Sequence, residues 1–338
     1  MSEATKQTSW QEEYKVVRDG GAGLIDLSLR GLIEVSGTEA IMFLNGLITN
    51  DVKNLEDNSW MLAAFPNVQG RLIAFARVLR LGDKFMFDTE AVTTEAVLSN
   101  LSRFTLAGDF RVTNLGGETA LISVQGAKAA DVVHNVFGEE VANIELNRVV
   151  SINNDFIIRA THTAEDGFDV FCNDDDKNAL IDSLMSAGAT LVGPEAFEVL
   201  RIEAGIPRYG VDMNEATVVL ETGLDEAVSY KKGCYVGQEI IARIHWRGHV
   251  AKKLSGIALE EHGPVKPEDK LKTPEGKDIG RITSVTFSPK LQKTIALGYV
   301  RHEHLAAGTE VRIATDEKEL AARVIDIPFV RGSWFEEN

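Results

Sequence analysis

The feature that most constrains this chain is a weak internal repeat in its first two thirds. Gly31-Leu32-Ile33-Glu34-Val35-Ser36-Gly37, followed by Ala40, Phe43 and Leu44, is echoed by Ala120-Leu121-Ile122-Ser123-Val124-Gln125-Gly126, followed by Ala129, Val132 and Val133. Each copy reads as a strand, a glycine turn and an amphipathic helix. Strand-like runs follow at 61–65 and 72–79 in the first copy, and at 148–152 and 156–160 in the second. Each copy then closes with one more strand and a helix, 84–88 with 93–103 and 167–172 with 177–187. This order predicts an α+β chain with two ferredoxin-like units of split βαβ character, over 22–115 and 116–215. The order leaves open whether the units exchange elements.

Past residue 253 the texture changes to short strands at 254–259, 280–286, 293–300, 310–314 and 322–327, punctuated by glycine and proline. That spacing predicts a small barrel or sandwich, with a boundary near Ala251 and a last domain over 251–338. Between the repeat and this domain, residues 216–250 form a separate segment.

That segment contains Lys232-Gly233-Cys234-Tyr235-Val236-Gly237-Gln238-Glu239, which holds one of only two cysteines. Gly233 and Gly237 allow bends on either side of the thiol, and Gln238-Glu239-Ile240-Ile241 reads as a helix start. Helix amides with Lys231 and Lys232 would favour a thiolate at Cys234. A small residue packed beneath a turn is the alternative. Six basic residues between Lys231 and Lys253 face the single acid Glu239, so this window is +5 in a chain of −16 and leaves −21 elsewhere. Such a patch attracts an anionic cofactor tail, a phosphate backbone or an acidic partner, or is a solvated helix face. The overall acidity argues against a protein that coats nucleic acid.

Pro194 to Ala204 is the best-punctuated helix, with proline at its start and Gly205 past its end. Glu203 falls in its last turn, at the negative end of the helix dipole. It needs a cation such as Arg201 or Arg208, or it accepts paired N–H donors from a heterocyclic ligand.

Other signals carry less. The start, Met1 to Thr5, lacks an apolar signal core, and no apolar run reaches membrane length, so a cytoplasmic protein with reduced thiols is expected. Asp19-Gly20-Gly21-Ala22-Gly23 lacks the strand and spacing of a phosphate loop, and Asp174-Asp175-Asp176 lacks the rest of a calcium loop. His245 and His249, and His302-Glu303-His304, lack a third ligand nearby, so no permanent metal is expected. Cys172 ends an alternating strand and reads as core.

The octapeptide, with Leu200-Arg201-Ile202-Glu203-Ala204-Gly205-Ile206-Pro207, Thr49-Asn50-Asp51-Val52, Ser288-Pro289, Ile295 to Val300 and Pro328-Phe329-Val330, resembles the YgfZ family of folate-binding iron–sulfur cluster assembly and repair factors. That family is related to the glycine-cleavage T-protein, an aminomethyltransferase. The resemblance spans roughly 22–331 and implies a three-domain cloverleaf around a central tetrahydrofolate channel. It implies that Glu203 recognises the pterin, that Tyr209 and Asp212 shape the wall, and that Arg243 and Arg247 meet the glutamate tail or a partner. Cys234 becomes a functional thiol and transient metal ligand, flanked by Lys232, Gly233, Tyr235, Gly237, Gln238 and Glu239.

Two departures matter. Ala74 and Phe75 stand where T-protein carries an acidic pair, one member of which assists attack by the folate nitrogen. Without it, methylene transfer lacks its proton-handling group. Val218-Val219-Leu220-Glu221 also lacks the proline that many assembly factors carry there. The resemblance therefore implies an accessory protein supporting 4Fe–4S and radical-SAM enzymes, including tRNA methylthiotransferases. Its expected partners are assembly proteins, client enzymes or tRNA-modifying enzymes. The alternatives are a folate-dependent one-carbon transferase and a folate-regulated tRNA-binding protein.

Overall fold

Both copies of the repeat form the expected unit in a computed structural model that describes residues 9–335; the reading of Met1 to Thr5 lies outside those residues. The first part runs α1 (Trp10–Arg18), β1 (Gly23–Asp26), β2 (Gly31–Ser36), α2 (Ala40–Leu47), β3 (Ser59–Pro66), β4 (Leu72–Leu81), β5 (Lys84–Thr89), α3 (Thr94–Ser102) and β6 (Arg111–Asn114). The second runs β7 (Thr119–Gln125), α4 (Ala129–Phe137), α5 (Glu139–Ala142), β8 (Val149–Ile152), β9 (Asp155–Arg159), β10 (Gly167–Asn173), α6 (Lys177–Ser186), β11 (Thr190–Leu191) and α7 (Pro194–Glu203). The glycine after each repeat strand has a physical reason. Gly37 and Gly126 have φ of 116° and 134°. A Cβ on them would lie 2.1 Å from the Asp109 carbonyl oxygen and 2.3 Å from that of Gly21. Only glycine meets both conditions without strain.

The first unit's sheet has the order β3-β4-β5-β2-β6, and the second has β11-β1-β7-β10-β9-β8. β1 thus leaves the first copy and pairs antiparallel with β7 and parallel with β11 in the second sheet. One strand of the first stretch thus lies in the sheet of the second, and no strand of the second lies in the sheet of the first. Each sheet covers its helices with its own apolar cluster. A third cluster, including Leu32, Leu79, Met86, Leu121, Ile158 and Phe171, joins residues from both sheets.

A chain of buried charges crosses the same junction. Asp88 accepts from Arg30 at 2.5 Å and Arg77 at 2.6 Å, and Arg77 also pairs with Asp169 of β10. His162 Nε2 lies 2.9 Å from Asp169. Burial alone would raise the Asp169 carboxyl, yet His162 and Arg77 hold it well below the usual range. Removal of one member leaves its neighbours buried with one counter-charge fewer, and the Arg77–Asp169 pair ties the first sheet to the second.

Then come α8 (Gln238–Arg247) and a closed antiparallel barrel of β12 (Lys252–Leu259), β13 (Lys270–Lys272), β14 (Asp278–Ser288), β15 (Lys293–Arg301), β16 (Glu310–Ala314) and β17 (Glu319–Ile325). The barrel begins one residue after Ala251. The three-residue strand β13 escaped the sequence pattern, because Lys270-Leu271-Lys272 offers one apolar side chain.

Candidate functional site

Two stretches far from it in sequence meet the octapeptide. The Lys232 ammonium donates to the carbonyls of Ile48 at 2.8 Å and Asn50 at 2.7 Å. Val236 N–H donates to Gly46, Ser229 N–H to Thr49, and the Thr49 hydroxyl to Ala227. The octapeptide therefore lies clamped on the turn that ends α2. Its far end is fitted to the β3–β4 turn. Gly237 has φ 77°, and a Cβ there would stand 2.4 Å from the Asn67 carbonyl oxygen. Gly237 then caps α8, which starts at Gln238 as the sequence predicts.

Cys234 is exposed at the tip of this clamped loop, while Cys172 is buried. Burial, with Asp155 and further acids nearby, pushes the Cys172 thiol up to about 11. The expected help from Lys232 takes another form. Lys232 is buried with its ammonium spent on backbone carbonyls, and desolvation pushes it down to about 8. Its role is to hold the loop. Gly233 differs from expectation too: it has no left-handed φ, and a Cβ there meets nothing within 4 Å.

Glu203 is completely buried, and both of its oxygens are occupied by the chain itself. The Tyr14 hydroxyl lies 2.8 and 3.0 Å from them, Arg18 Nε donates at 2.9 Å and the Ser288 hydroxyl at 2.5 Å. Arg18 also reaches Glu165 at 2.8 Å and the Thr163 carbonyl at 2.7 Å. The N–H groups of Phe329 and Val330 donate to the Glu203 carbonyl. Glu203 thus joins α1, α7 and the barrel. The compensating cation is Arg18, not Arg201 or Arg208, and the carboxylate is enclosed by three donors of the chain with no surface exposed. The sequence carried a signal for this: Tyr14 and Arg18 are four residues apart, the spacing of one helix face.

Asp212 is equally enclosed. It accepts from Arg201, Thr283 and Ser284, each at 2.6 Å, and from Arg208 N–H at 3.0 Å, tying α7 to β14. Tyr209 and Tyr235 enter one apolar cluster with Leu72, Phe75, Met213 and Ile241. Ala74 points the other way, into the core of the first unit. Val219–Glu221 forms a single 3-10 turn without the proline, closed by Val218 N–H donating to the Glu221 carboxylate at 3.3 Å. Desolvation raises the Glu221 pKa.

On α8, Arg243 pairs with Glu239 at 2.5 Å along the exposed face, while the Arg247 side chain lies outside the described residues. Beside the end of α8 is a cavity of about 240 Å³ lined by Asp225, Tyr230, His245, His249, Lys253 and His302 over an apolar floor. Sequence reasoning noticed its histidines only as poor metal ligands. Among the described residues no group of three or more His, Cys, Asp or Glu is placed to hold a metal, and no helix is long and apolar enough to cross a membrane.

Comparison with known proteins places two family models on the chain. The GCVT N-terminal domain matches residues 2–232, and the glycine cleavage T-protein C-terminal barrel domain matches 252–331. An aminomethyltransferase from Bacillus mycoides is 30% identical over 337 residues, covering 96% of this chain and 91% of that protein. One from Halalkalibacterium halodurans is 29% identical over 334 residues, with 96% and 90% covered. The crystal structure of the glycine cleavage system aminomethyltransferase T from Bartonella henselae superposes with a TM-score of 0.88 at 26% identity, covering 96% of this chain and 90% of that one.

Proposed function

This chain belongs to the glycine cleavage T-protein family, and from that premise we propose that it is a tetrahydrofolate-binding accessory protein for iron–sulfur cluster assembly or repair. The observation that carries the reading is the environment of Ala74 and Phe75. Both side chains are enclosed among apolar neighbours at the position where T-protein holds its acidic pair. A carboxylate there would shuttle a proton during methylene transfer, and methyl and phenyl groups have no proton to give.

The clamped loop supports the second half of the reading. It holds one exposed thiol in a fixed place, with the other cysteine buried elsewhere. A single accessible thiol is too few ligands for a cluster, so Cys234 would contribute to one shared with a client enzyme or carrier. Supported enzymes would include 4Fe–4S and radical-SAM enzymes such as tRNA methylthiotransferases. The folate half rests on family membership, because Glu203 is engaged within the chain and no step is assigned to it.

The relatives' names favour a second reading, folate-dependent one-carbon transfer. Purified protein incubated with tetrahydrofolate and an aminomethyl donor separates the two. The accessory reading expects no methylenetetrahydrofolate; formation at rates typical of enzymes would establish the transferase. In a deletion strain the accessory reading expects reduced cluster-enzyme activity, restored by the wild-type gene and not by Cys234→Ala. Normal cluster-enzyme activity and normal methylthiolated tRNA in that strain would sink it.

A further inference from the structure

The outer face of α2 beside the octapeptide is bare. Val236 N–H donates to the Gly46 carbonyl at 3.0 Å, which lays the loop that carries Cys234 along the last turn of α2. Met42, one turn earlier on the same side of the helix, is 59% exposed. A Cβ on Gly46 or on Gly233 would meet nothing within 4 Å, and neither residue has a left-handed φ. The fold therefore requires glycine at neither place, even though Gly46 lies within α2, where glycine is a poor helix former. Backbone left uncovered in this way admits close approach by another molecule.

Charge singles out the same face. Of the six basic residues between Lys231 and Lys253, Lys232 is spent on the carbonyls of Ile48 and Asn50 and Arg243 on Glu239, while Lys252 faces Glu221 at 3.9 Å and Lys253 faces Asp225 at 3.2 Å. Among those whose side chains are described, Lys231 alone keeps an unpaired ammonium. Lys53, three residues past Asn50, is exposed and unpaired as well. A chain of net charge −16 repels an acidic segment as a whole, and two free cations on the clamp draw it to this face.

We propose that the face formed by Met42, Gly46, Lys53, Lys231 and Gly233 docks an acidic segment of a client iron–sulfur enzyme and presents it to Cys234. The inference rests on the role proposed for Cys234 and names the surface through which the partner reaches it. The segment's main chain lies against the two glycines, its carboxylates meet the two ammonium groups, and Met42 packs on its apolar side chains. A thioether side chain is flexible and polarizable, which suits clients that differ in sequence.

Titration of the full chain against a purified tRNA methylthiotransferase that holds its 4Fe–4S cluster tests the face, with tRNA alone and the chain itself as competing occupants. The expectation is saturable binding of the enzyme that weakens as salt rises. Met42→Glu, Gly46→Leu and the Lys53→Glu/Lys231→Glu double variant should each weaken it by about tenfold or more. Gly46→Leu should melt no lower than wild type, because leucine is the better helix former. In every variant Cys234 should still react with an aromatic disulfide reagent, and in a deletion strain none should restore cluster-enzyme activity. Variants that bind the enzyme and restore activity as the wild type does overturn the docking face and leave the role of Cys234 standing. Normal cluster-enzyme activity in the deletion strain overturns both. Binding of tRNA, or self-association, through the same lysines without binding of the enzyme overturns the proposal, as does loss of binding that only accompanies loss of melting temperature.

Discussion

The Tyr14 hydroxyl and the Glu203 carboxylate, 189 residues apart in the chain, meet at 2.8 and 3.0 Å in a fully buried junction. Burial, and then the adjacent Glu203 charge, raise the Tyr14 phenol, so it stays a proton donor. Because the junction also takes Arg18 and Ser288, its loss is felt in three parts of the fold. Glu203→Gln should destabilise by about 1–3 kcal/mol, because it removes charge-assisted hydrogen bonds in a buried site while Arg18 keeps its pair with Glu165. Tyr14→Phe should cost about 1–3 kcal/mol. Urea denaturation measures both; an unchanged midpoint for Glu203→Gln with lost folate affinity would instead make Glu203 a ligand contact.

Lys232 gives the octapeptide a pH dependence. Its pKa is about 8 in the folded chain against an ordinary 10.5, with burial as the main cause. Between those values the unfolded chain binds more protons, so stability rises with pH from about 8 to about 10.5, by up to about 3 kcal/mol. Below pH 8 both states are protonated and this dependence vanishes. Denaturant melts of wild type and Lys232→Met across this range isolate the contribution: the wild type should gain up to about 3 kcal/mol relative to the variant, because the opposing contributions of the raised Cys172 thiol and Tyr14 phenol are common to both.

The two glycines of the octapeptide should differ in their sensitivity to substitution. Gly237→Ala combines a left-handed φ with a Cβ 2.4 Å from a carbonyl oxygen, and should lower stability by about 1–3 kcal/mol and loosen the loop. Gly233→Ala should stay within about 0.5 kcal/mol, because its Cβ meets nothing within 4 Å. Thermal melting orders the two, and equal effects would show that the clamp on Asn67 is unimportant.

Thiol titration should count one reactive cysteine per native chain. Cys234 is exposed, whereas Cys172 is buried with its thiol pushed up to about 11. An aromatic disulfide reagent should therefore release one equivalent before denaturation and a second after it. Cys234→Ala should abolish the first.

How much of this was legible beforehand follows the range of each interaction. The repeat announced two units because a strand, a glycine turn and a helix are local patterns, and the positive φ of Gly37 and Gly126 is a local demand, although their close approach to Asp109 and Gly21 is not. The start of α8 at Gln238 and the core position of Cys172 were readable for the same reason. Helix α1 was missed, and with it the partners of Glu203, because nothing local says what its buried face of Tyr14, Val17 and Arg18 meets. The capture of β1 by the second sheet had no sequence signal, since Gly23–Asp26 would suit either sheet.

The sequence by itself determined the α+β units, an all-β last domain, the isolated thiol between two glycines and the absence of an acid at Ala74 and Phe75, since each depends on residue identity or short-range pattern. Only the tertiary structure decided which charges are free. A carboxylate has the same appearance in sequence whether it faces a ligand or, like Glu203, spends its oxygens on Tyr14, Arg18 and Ser288. Hydrogen bonds between residues so far apart are set by how the units pack, which no local pattern encodes.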